Sequence, residues 1–174
     1  MSPTAANDHS RVMVLMGSDS DLPVMRGAIE VLGQFDVPVR TEVTSAHRTP
    51  DRTREIVNSS RAQVFIVGAG GAAHLAGTVA ALTTRPVLGV PLAATSLGGL
   101  DALLATVQMP AGIPVPTLAI GEAGARNAAL AAIAILALSD DDLDRRLTAY
   151  RREMAARVEA HADKVRQALE SGTP

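Results

Sequence analysis

The sequence contains no cysteine and no tryptophan, and its aromatic side chains are Phe35, Phe65 and Tyr150. The lack of cysteine excludes disulfides, thiolate metal ligands and a cysteine nucleophile. Three aromatic rings cannot supply the stacking platforms that single-stranded nucleic acids require. The same scarcity counts against a flavin, which usually packs against an aromatic ring.

A strong net charge and a long apolar run are also missing. The formal net charge is −2 and the pI is near 6.1, so the composition offers no basic surface for nucleic-acid phosphates. No apolar run is long enough to span a membrane. A chain of 174 residues with 47% hydrophobic and 20% charged residues predicts one globular domain with its own core.

The first ten residues are small and polar, and they lack the basic start and apolar segment of a secretion signal. We therefore predict a disordered leader over residues 1–10 and a single α/β domain over residues 11–174. We expect the protein to be cytoplasmic.

Short apolar runs alternate with segments of helical spacing along most of the chain. The predicted strands cover residues 11–16, 37–43, 63–67, 86–91 and 117–120. Each strand but the last precedes a helical pattern after a short connection, and the last precedes a helix over residues 123–138 that is almost wholly apolar. Such alternation predicts a parallel sheet with helices on both faces, with the loops after the first three strands at one edge.

The last segment, residues 139–171, predicts a helix about 45 Å long. Ser139 is its predicted N-cap, and an apolar stripe runs along it at spacings of three and four. A small domain cannot cover a helix of this length, so we predict that the stripe packs against another subunit. His161 on this helix is assigned no chemistry.

The connection after the second predicted strand carries the most reactive groups. His47 supplies a group that titrates near neutral pH, Arg48 a fixed cation, and Ser45 and Thr49 hydroxyls, which together suit an anionic substrate and a proton transfer. The alternative is an ordinary loop in which Ser45 or Thr49 caps a helix that begins at Pro50, while His47 and Arg48 are solvated.

The loop over residues 17–21 follows the first predicted strand. Its hydroxyls and backbone N–H groups suit a phosphate, and Asp21 suits ribose hydroxyls. The alternative is N-capping of the first helix by Ser20 or Asp21.

The third predicted strand ends in a glycine-rich segment, residues 68–75. Its G-x-G-G-x-x-H spacing is neither a dinucleotide fingerprint nor a P-loop. Glycines at a strand end let a ligand approach the backbone closely, and His74 follows one turn into a helix. The alternative is that the glycines allow close helix packing and that His74 is a capping or core residue.

The parallel sheet predicts that these three loops converge at one edge. The sequence has no H-E-x-x-H metal motif and no G-x-S-x-G nucleophile elbow, so the hydroxyls are interpreted as binding groups. The residues predicted to meet are Ser18, Asp21, Ser45, His47, Arg48, Gly70, Gly71 and His74.

Four motifs, residues 17–21, 45–50, 68–75 and 108–115, resemble the N5-carboxyaminoimidazole ribonucleotide mutases of purine biosynthesis. The resemblance implies a three-layer α/β/α flavodoxin-like fold, a homo-octamer with sites between subunits, and neither a metal nor an organic cofactor. It implies an isomerase that moves a carboxylate from the exocyclic nitrogen to ring carbon 4, on a substrate delivered by an ATP-dependent enzyme.

The resemblance also implies a role for each matching residue. His47 is the acid and base, and the loop closing a site, its own or a neighbour's, contains Met109 and Pro110. Residues 92–99 depart from the more polar version common in the family. The implied substrate-binding residues are Gly17, Ser18, Asp21, Ser45 and Arg48 for the ribose phosphate, and Gly70, Gly71, Ala72 and His74 for the carboxylate.

Three other functions remain open at this point. The nearest is the related carboxylase, which joins carbon dioxide directly to aminoimidazole ribonucleotide; the third motif favours the mutase branch. A flavodoxin-like nucleotide-binding or flavin-binding module would use the same sheet edge. A structural or regulatory oligomer would explain the apolar and long helices, but not the predicted convergence of His47, Arg48 and His74.

Overall fold

In the computed structural model, which describes residues 9–171, four parallel strands form one sheet in the order β2-β1-β3-β4. Every residue of β1 and β4 is buried, as the continuous apolar runs predict for strands covered on both faces. The strands are β1 (Val12–Met16), β2 (Val39–Val43), β3 (Val64–Gly70) and β4 (Val87–Leu92).

In the described part of the chain, six α-helices follow or connect these strands. A short 3₁₀ turn, Asp19–Asp21, precedes the first of them. The helices are α1 (Leu22–Gln34), α2 (Pro50–Ser59), α3 (Leu75–Leu82), α4 (Leu100–Val107), α5 (Glu122–Ala137) and α6 (Asp141–Glu170).

The sheet is covered on both faces because successive side chains of its buried strands point in opposite directions. On one face, Phe65 and its neighbours pack in a core with Ile56 of α2, Val79 of α3 and Ala102 of α4. On the other face, the side chain of Met25 in α1 lies directly over Gly68. Helix α5 lies beside α1, where Arg126 contacts Gly27. The result is the predicted three-layer arrangement.

The prediction of a fifth strand over residues 117–120 is wrong. Thr117 forms only an isolated parallel bridge with Gly89, through the bonds Gly89 N–H to Pro116 O and Leu118 N–H to Gly89 O, both 2.9 Å. Pro114 and Pro116 precede this segment, and a proline has no N–H with which to extend a ladder. The segment lies beside β4, where a flavodoxin-type sheet has its fifth strand.

The registry of the strands brings their carboxyl ends to one edge. Met16 of β1 is paired with Val43 of β2 and with Gly68 of β3. Strand β3 continues two residues further, so that Gly70 is paired with Leu92 of β4. The loops after all four strands therefore begin at the same edge.

The chain divides into two compact units, the first ending at Ile135 and the second beginning at Leu136. The sheet belongs to the first unit. The second contains α6, whose 30 residues match the predicted length, although its N-cap is Asp140 rather than Ser139. That the whole of residues 11–174 forms one domain stays a prediction.

The apolar stripe on α6 is exposed: Met154, Val158, Val165 and Leu169 keep 45–77% of their surface accessible. Its packing against another subunit stays a prediction. None of the helices within residues 9–171 is both long enough and apolar enough to cross a membrane. Most of the predicted leader lies outside the described residues; within it, Ser10 is buried.

Candidate active site

A cavity of about 350 Å³ opens at the carboxyl edge of the sheet, between the loops that follow β1, β2 and β3. Its position is where open α/β sheets bind ligands. The residues that line it are Gly17, Ser18, Ser20, Asp21, Ser45, Ala46, His47, Arg48, Ala69, Gly70, Ala72, Leu75 and Ala94.

The loop after β1 is fixed by a capping box. The Ser18 N–H donates to Asp21 Oδ2 at 3.0 Å, and the Ser20 N–H donates to Ser18 Oγ at 3.3 Å. Ser18 is therefore the N-cap of the 3₁₀ turn. Asp21 occupies the N-cap position of α1 but makes no side-chain cap bond there. Both capping residues also line the cavity, so capping and binding are not exclusive alternatives here.

The carboxyl of Asp21 is half-buried, and its pKa is raised above the usual 3.8. Burial is the main cause, because it disfavours the charged form. The N–H groups of Ser18 and Gly17 oppose it by stabilising the carboxylate, and the charge of Asp19 adds to the increase.

The His47 loop is closed by hydroxyl groups. Thr49 Oγ1 accepts from the Ser45 N–H at 3.0 Å and donates to the Ser45 carbonyl at 3.2 Å. Beneath it, the buried hydroxyls of Thr44 and Thr53 lie 2.9 Å apart and join the loop to α2. Thr49 is the N-cap position of α2 but makes no side-chain cap bond, so the loop differs from the ordinary capping arrangement considered above.

Arg48 connects the first two loops. Its Nη2 donates to the Gly17 carbonyl at 3.2 Å, and its Nε lies 3.4 Å from Ser45 Oγ. Within residues 9–171 no carboxylate pairs with it. The guanidinium is exposed at the cavity and carries an unneutralised positive charge.

His47 and His74 form a direct pair. His47 Nε2 lies 2.8 Å from His74 Nδ1, with ring centroids 4.9 Å apart and ring planes at 76°. Both side chains are exposed. His74 is the N-cap position of α3 but its side chain makes no cap bond, so it is neither the capping nor the core residue of the alternative interpretation.

The glycine-rich segment forms the floor of the cavity. Gly71 has a φ of 59°, which L-residues with side chains rarely adopt. A Cβ on Gly70 would overlap that of Ala94, so the loop after β4 lies directly on this backbone. Both functions of the glycines considered above, close packing and access for a ligand, are compatible with this arrangement.

Four predicted site residues are not among those that line the cavity. Gly71 and His74 lie next to lining residues of the glycine-rich segment, and His74 contacts His47. Met109 packs against α3, with its sulfur 2.9 Å from where a Cβ on Gly77 would lie, and neither it nor Pro110 lines the cavity. Conversely, sequence reasoning missed Ala94, because it considered the loops after only three strands. The sequence does contain a signal for Ala94, because the fourth predicted strand is parallel to the others and so ends at the same edge of the sheet.

A larger cavity, of about 980 Å³, lies at the opposite, amino-terminal edge of the sheet and contains neither histidine. Its guanidinium, Arg85, already donates to the Ser60 carbonyl at 2.8 Å. Within residues 9–171 no three histidine, aspartate or glutamate side chains group as metal ligands.

The family model described as AIR carboxylase matches residues 11–157. The chain belongs to this family. It is 49% identical over 156 residues to the N5-carboxyaminoimidazole ribonucleotide mutase of Methanocaldococcus jannaschii, covering 90% of this chain and 98% of that protein. It is 53% identical over 154 residues to the enzyme of the same name from Mycobacterium leprae, covering 86% of this chain and 88% of that protein.

The fold agrees with a solved member. The crystal structure of Treponema denticola PurE aligns with a TM-score of 0.80 at 25% identity, covering 88% of this chain and 96% of that one. The predicted resemblance and the predicted flavodoxin-like α/β fold with a long C-terminal helix are confirmed.

Proposed function

We propose that this member of the AIR carboxylase family is an N5-carboxyaminoimidazole ribonucleotide mutase, which moves a carboxylate from the exocyclic nitrogen to ring carbon 4. The names of its relatives at about half identity support the reaction. The observation that carries the mechanism is the position of His47, a proton donor and acceptor, at one cavity with the Arg48 guanidinium and the backbone of Gly70 and Ala72.

The nucleotide end of the substrate binds between the first two loops. The guanidinium of Arg48 lies there, and its N–H groups can donate two parallel hydrogen bonds to a phosphate. The hydroxyls of Ser18 and Ser45 add donors, and Asp21 accepts from the ribose hydroxyls. The Gly17 carbonyl accepts a hydrogen bond from Arg48 and so orients the guanidinium.

The reacting carboxylate lies over the glycine-rich floor. Gly70, Gly71 and Ala72 bring backbone close to the cavity, and His74 borders the same region through its contact with His47. Such a surface holds a small linear molecule by fit and by backbone dipoles, without a strong covalent or ionic contact.

In the first step, imidazolium His47 donates its proton to the exocyclic nitrogen. The bond between that nitrogen and the carboxyl carbon breaks, and its electron pair stays on nitrogen. The products are carbon dioxide, aminoimidazole ribonucleotide and neutral His47. An imidazole suits this role because its two protonation states are both populated near neutral pH.

In the second step, the electron-rich carbon 4 attacks the retained carbon dioxide and forms the new carbon–carbon bond. Neutral His47 then removes the proton from carbon 4, which restores the aromatic ring and the imidazolium. Atoms and charge balance over the two steps, and the chemistry requires no cofactor.

Retention of carbon dioxide requires a closed site, whereas His47 and His74 are exposed in this single chain. We propose that neighbouring subunits close it, in a homo-octamer, and that Met109 and Pro110 serve a neighbour's site. The exposed stripe on α6 supports assembly. The cytoplasm, where an ATP-dependent enzyme would supply the labile substrate, is the proposed location.

The test is conversion of freshly made N5-carboxyaminoimidazole ribonucleotide, without ATP, metal or bicarbonate. Wild-type protein should form the carbon-4 isomer, and His47→Asn should lose at least about 10³-fold, within the range of general acid–base contributions, while it still binds aminoimidazole ribonucleotide. Activity only with aminoimidazole ribonucleotide and high carbon dioxide would instead identify the direct carboxylase. Near-normal turnover by folded His47→Asn would refute the role of His47.

A further inference from the structure

The loop between β4 and α4, residues 93–99, forms a wall of the cavity that none of the roles above uses. Ala94 lines the cavity and packs on Gly70. The methyl group of Thr95 lies 3.6 Å from where a Cβ on Gly71 would be. The position of this loop therefore decides how much space remains above the floor on which the carboxylate lies.

The loop is held by one side-chain bond to α4. The Thr95 hydroxyl donates to Asp101 Oδ2 at 2.7 Å and accepts from the Leu97 N–H at 3.2 Å. A hydroxyl that donates to a carboxylate makes one of the stronger hydrogen bonds in proteins. Asp101 Oδ1, in contrast, is buried and has no hydrogen-bond partner among the described residues. The Asp101 carboxylate thus has one strong side-chain partner, Thr95.

The far end of the loop is fixed by backbone geometry. Gly99 has a φ of 88° and is buried, and a Cβ there would lie 2.7 Å from Ile120 Cγ2. Close packing therefore fixes the end at Gly99, while residues 93–98 are exposed. The Thr95–Asp101 bond holds the exposed part in place.

We propose that Thr95 and Asp101 are positioning residues that hold the 93–99 loop against Gly70 and Gly71, and so retain carbon dioxide between its release and its recapture. This inference rests on the proposed mutase function. Without the bond, the wall moves away from the floor, and carbon dioxide escapes before carbon 4 attacks it. The reaction then ends as aminoimidazole ribonucleotide and free carbon dioxide.

The experiment measures both products from N5-carboxyaminoimidazole ribonucleotide at early times, after subtraction of the uncatalysed decomposition measured without enzyme. Thr95→Val removes the hydroxyl and preserves the shape, Thr95→Ser keeps the hydroxyl, and Asp101→Ala removes the acceptor. Ser96→Ala is the matched control, because Ser96 is an exposed residue of the same loop and its hydroxyl makes no hydrogen bond within residues 9–171. Circular dichroism checks that each variant is folded.

Thr95→Val should lower kcat by about tenfold, as expected for the loss of one hydrogen bond to a charged group, with KM changed less than about twofold. Its fraction of aminoimidazole ribonucleotide should rise severalfold. Thr95→Ser and Ser96→Ala should keep the wild-type fraction. The double variant with Asp101→Ala should be no worse than the poorer single variant, because both changes remove the same bond.

The inference would be overturned if Thr95→Val formed the same fraction of aminoimidazole ribonucleotide as the wild type. It would also be overturned if Thr95→Ser or Ser96→Ala raised that fraction as much as Thr95→Val does. Additive effects in the double variant would show that the two residues act separately, and would overturn it too. Failure of the wild-type protein to form the carbon-4 isomer would refute the proposed function itself. The two failures are therefore distinguishable.

Discussion

His47 Nε2 lies 2.8 Å from His74 Nδ1, and one of these two nitrogens must carry the proton that the other accepts. If both imidazoles were fully protonated, two N–H groups would face each other and the bond would be lost. The pair therefore holds at most one excess proton while the bond persists. In the proposed mechanism, Nδ1 of His47 is then the nitrogen that exchanges a proton with the substrate.

The first prediction follows from this pair. His74→Leu should lower kcat by roughly 10- to 100-fold, because His47 loses the hydrogen bond that fixes its ring and tautomer. ¹⁵N NMR of histidine-labelled protein should show one tautomer of His47 in the wild type and a mixture in the variant. His161→Leu, a change on exposed α6, is the control and should alter neither readout. A single unchanged tautomer in His74→Leu would contradict the assignment.

The second prediction concerns Arg48, whose guanidinium connects Gly17 and Ser45. Arg48→Met should weaken binding of aminoimidazole ribonucleotide by roughly 10- to 100-fold, measured by calorimetry, because a phosphate loses a charged hydrogen-bond donor. Arg48→Lys should recover only part of the lost affinity, because an ammonium group cannot form two parallel hydrogen bonds to one phosphate.

The matched control for Arg48 is Arg52→Met. Arg52 pairs with Glu42 at 2.8 Å and does not line the cavity. Its loss removes the same formal charge from the chain, yet affinity should stay within about twofold. Equal weakening in the two variants would mean that net charge, not the position of Arg48, governs binding.

The third prediction is a pH dependence that arises from Asp21. Burial raises the pKa of this carboxyl above 3.8. In the proposed binding mode, ribose hydroxyls donate to its ionised form. As pH falls toward the raised pKa, the carboxylate is protonated and affinity is lost, beginning at a higher pH than an ordinary aspartate would give. Binding of the phosphate-free aminoimidazole riboside should therefore weaken with falling pH in the wild type. In Asp21→Asn the affinity should be lower than in the wild type, and it should not show the loss with falling pH that protonation of Asp21 causes.

The sequence predicts the sheet edge well because parallel strands covered on both faces are continuous apolar runs. Helix α6 has the predicted length. The prediction of a fifth strand is wrong, because a strand pattern does not show whether the prolines before it leave enough N–H donors for a ladder. Strand β3 was under-predicted, since its last residues are glycine and alanine and do not resemble a strand.

Contacts between loops are beyond what one sequence contains. Sequence reasoning places His47 and His74 at the same edge, but the distance of 2.8 Å depends on the registry of β2, β1 and β3. The contact between Arg48 and Gly17 has the same origin. The roles of these residues stay predictions until the variants above are measured.

The last prediction tests the closest backbone approach at the site. Gly70→Ala should lower the free energy of unfolding by about 1–3 kcal/mol, measured in urea, because the new Cβ overlaps that of Ala94 and lies 3.3 Å from the Leu92 carbonyl. Ala94→Gly in the same chain should restore part of the loss by opening the space. Gly33→Ala is the control, since no heavy atom lies within 4 Å of its Cβ position in α1. There alanine should be neutral or stabilising by up to about 1 kcal/mol, whereas an unchanged stability in Gly70→Ala would show that the loop after β4 does not press on the floor of the cavity.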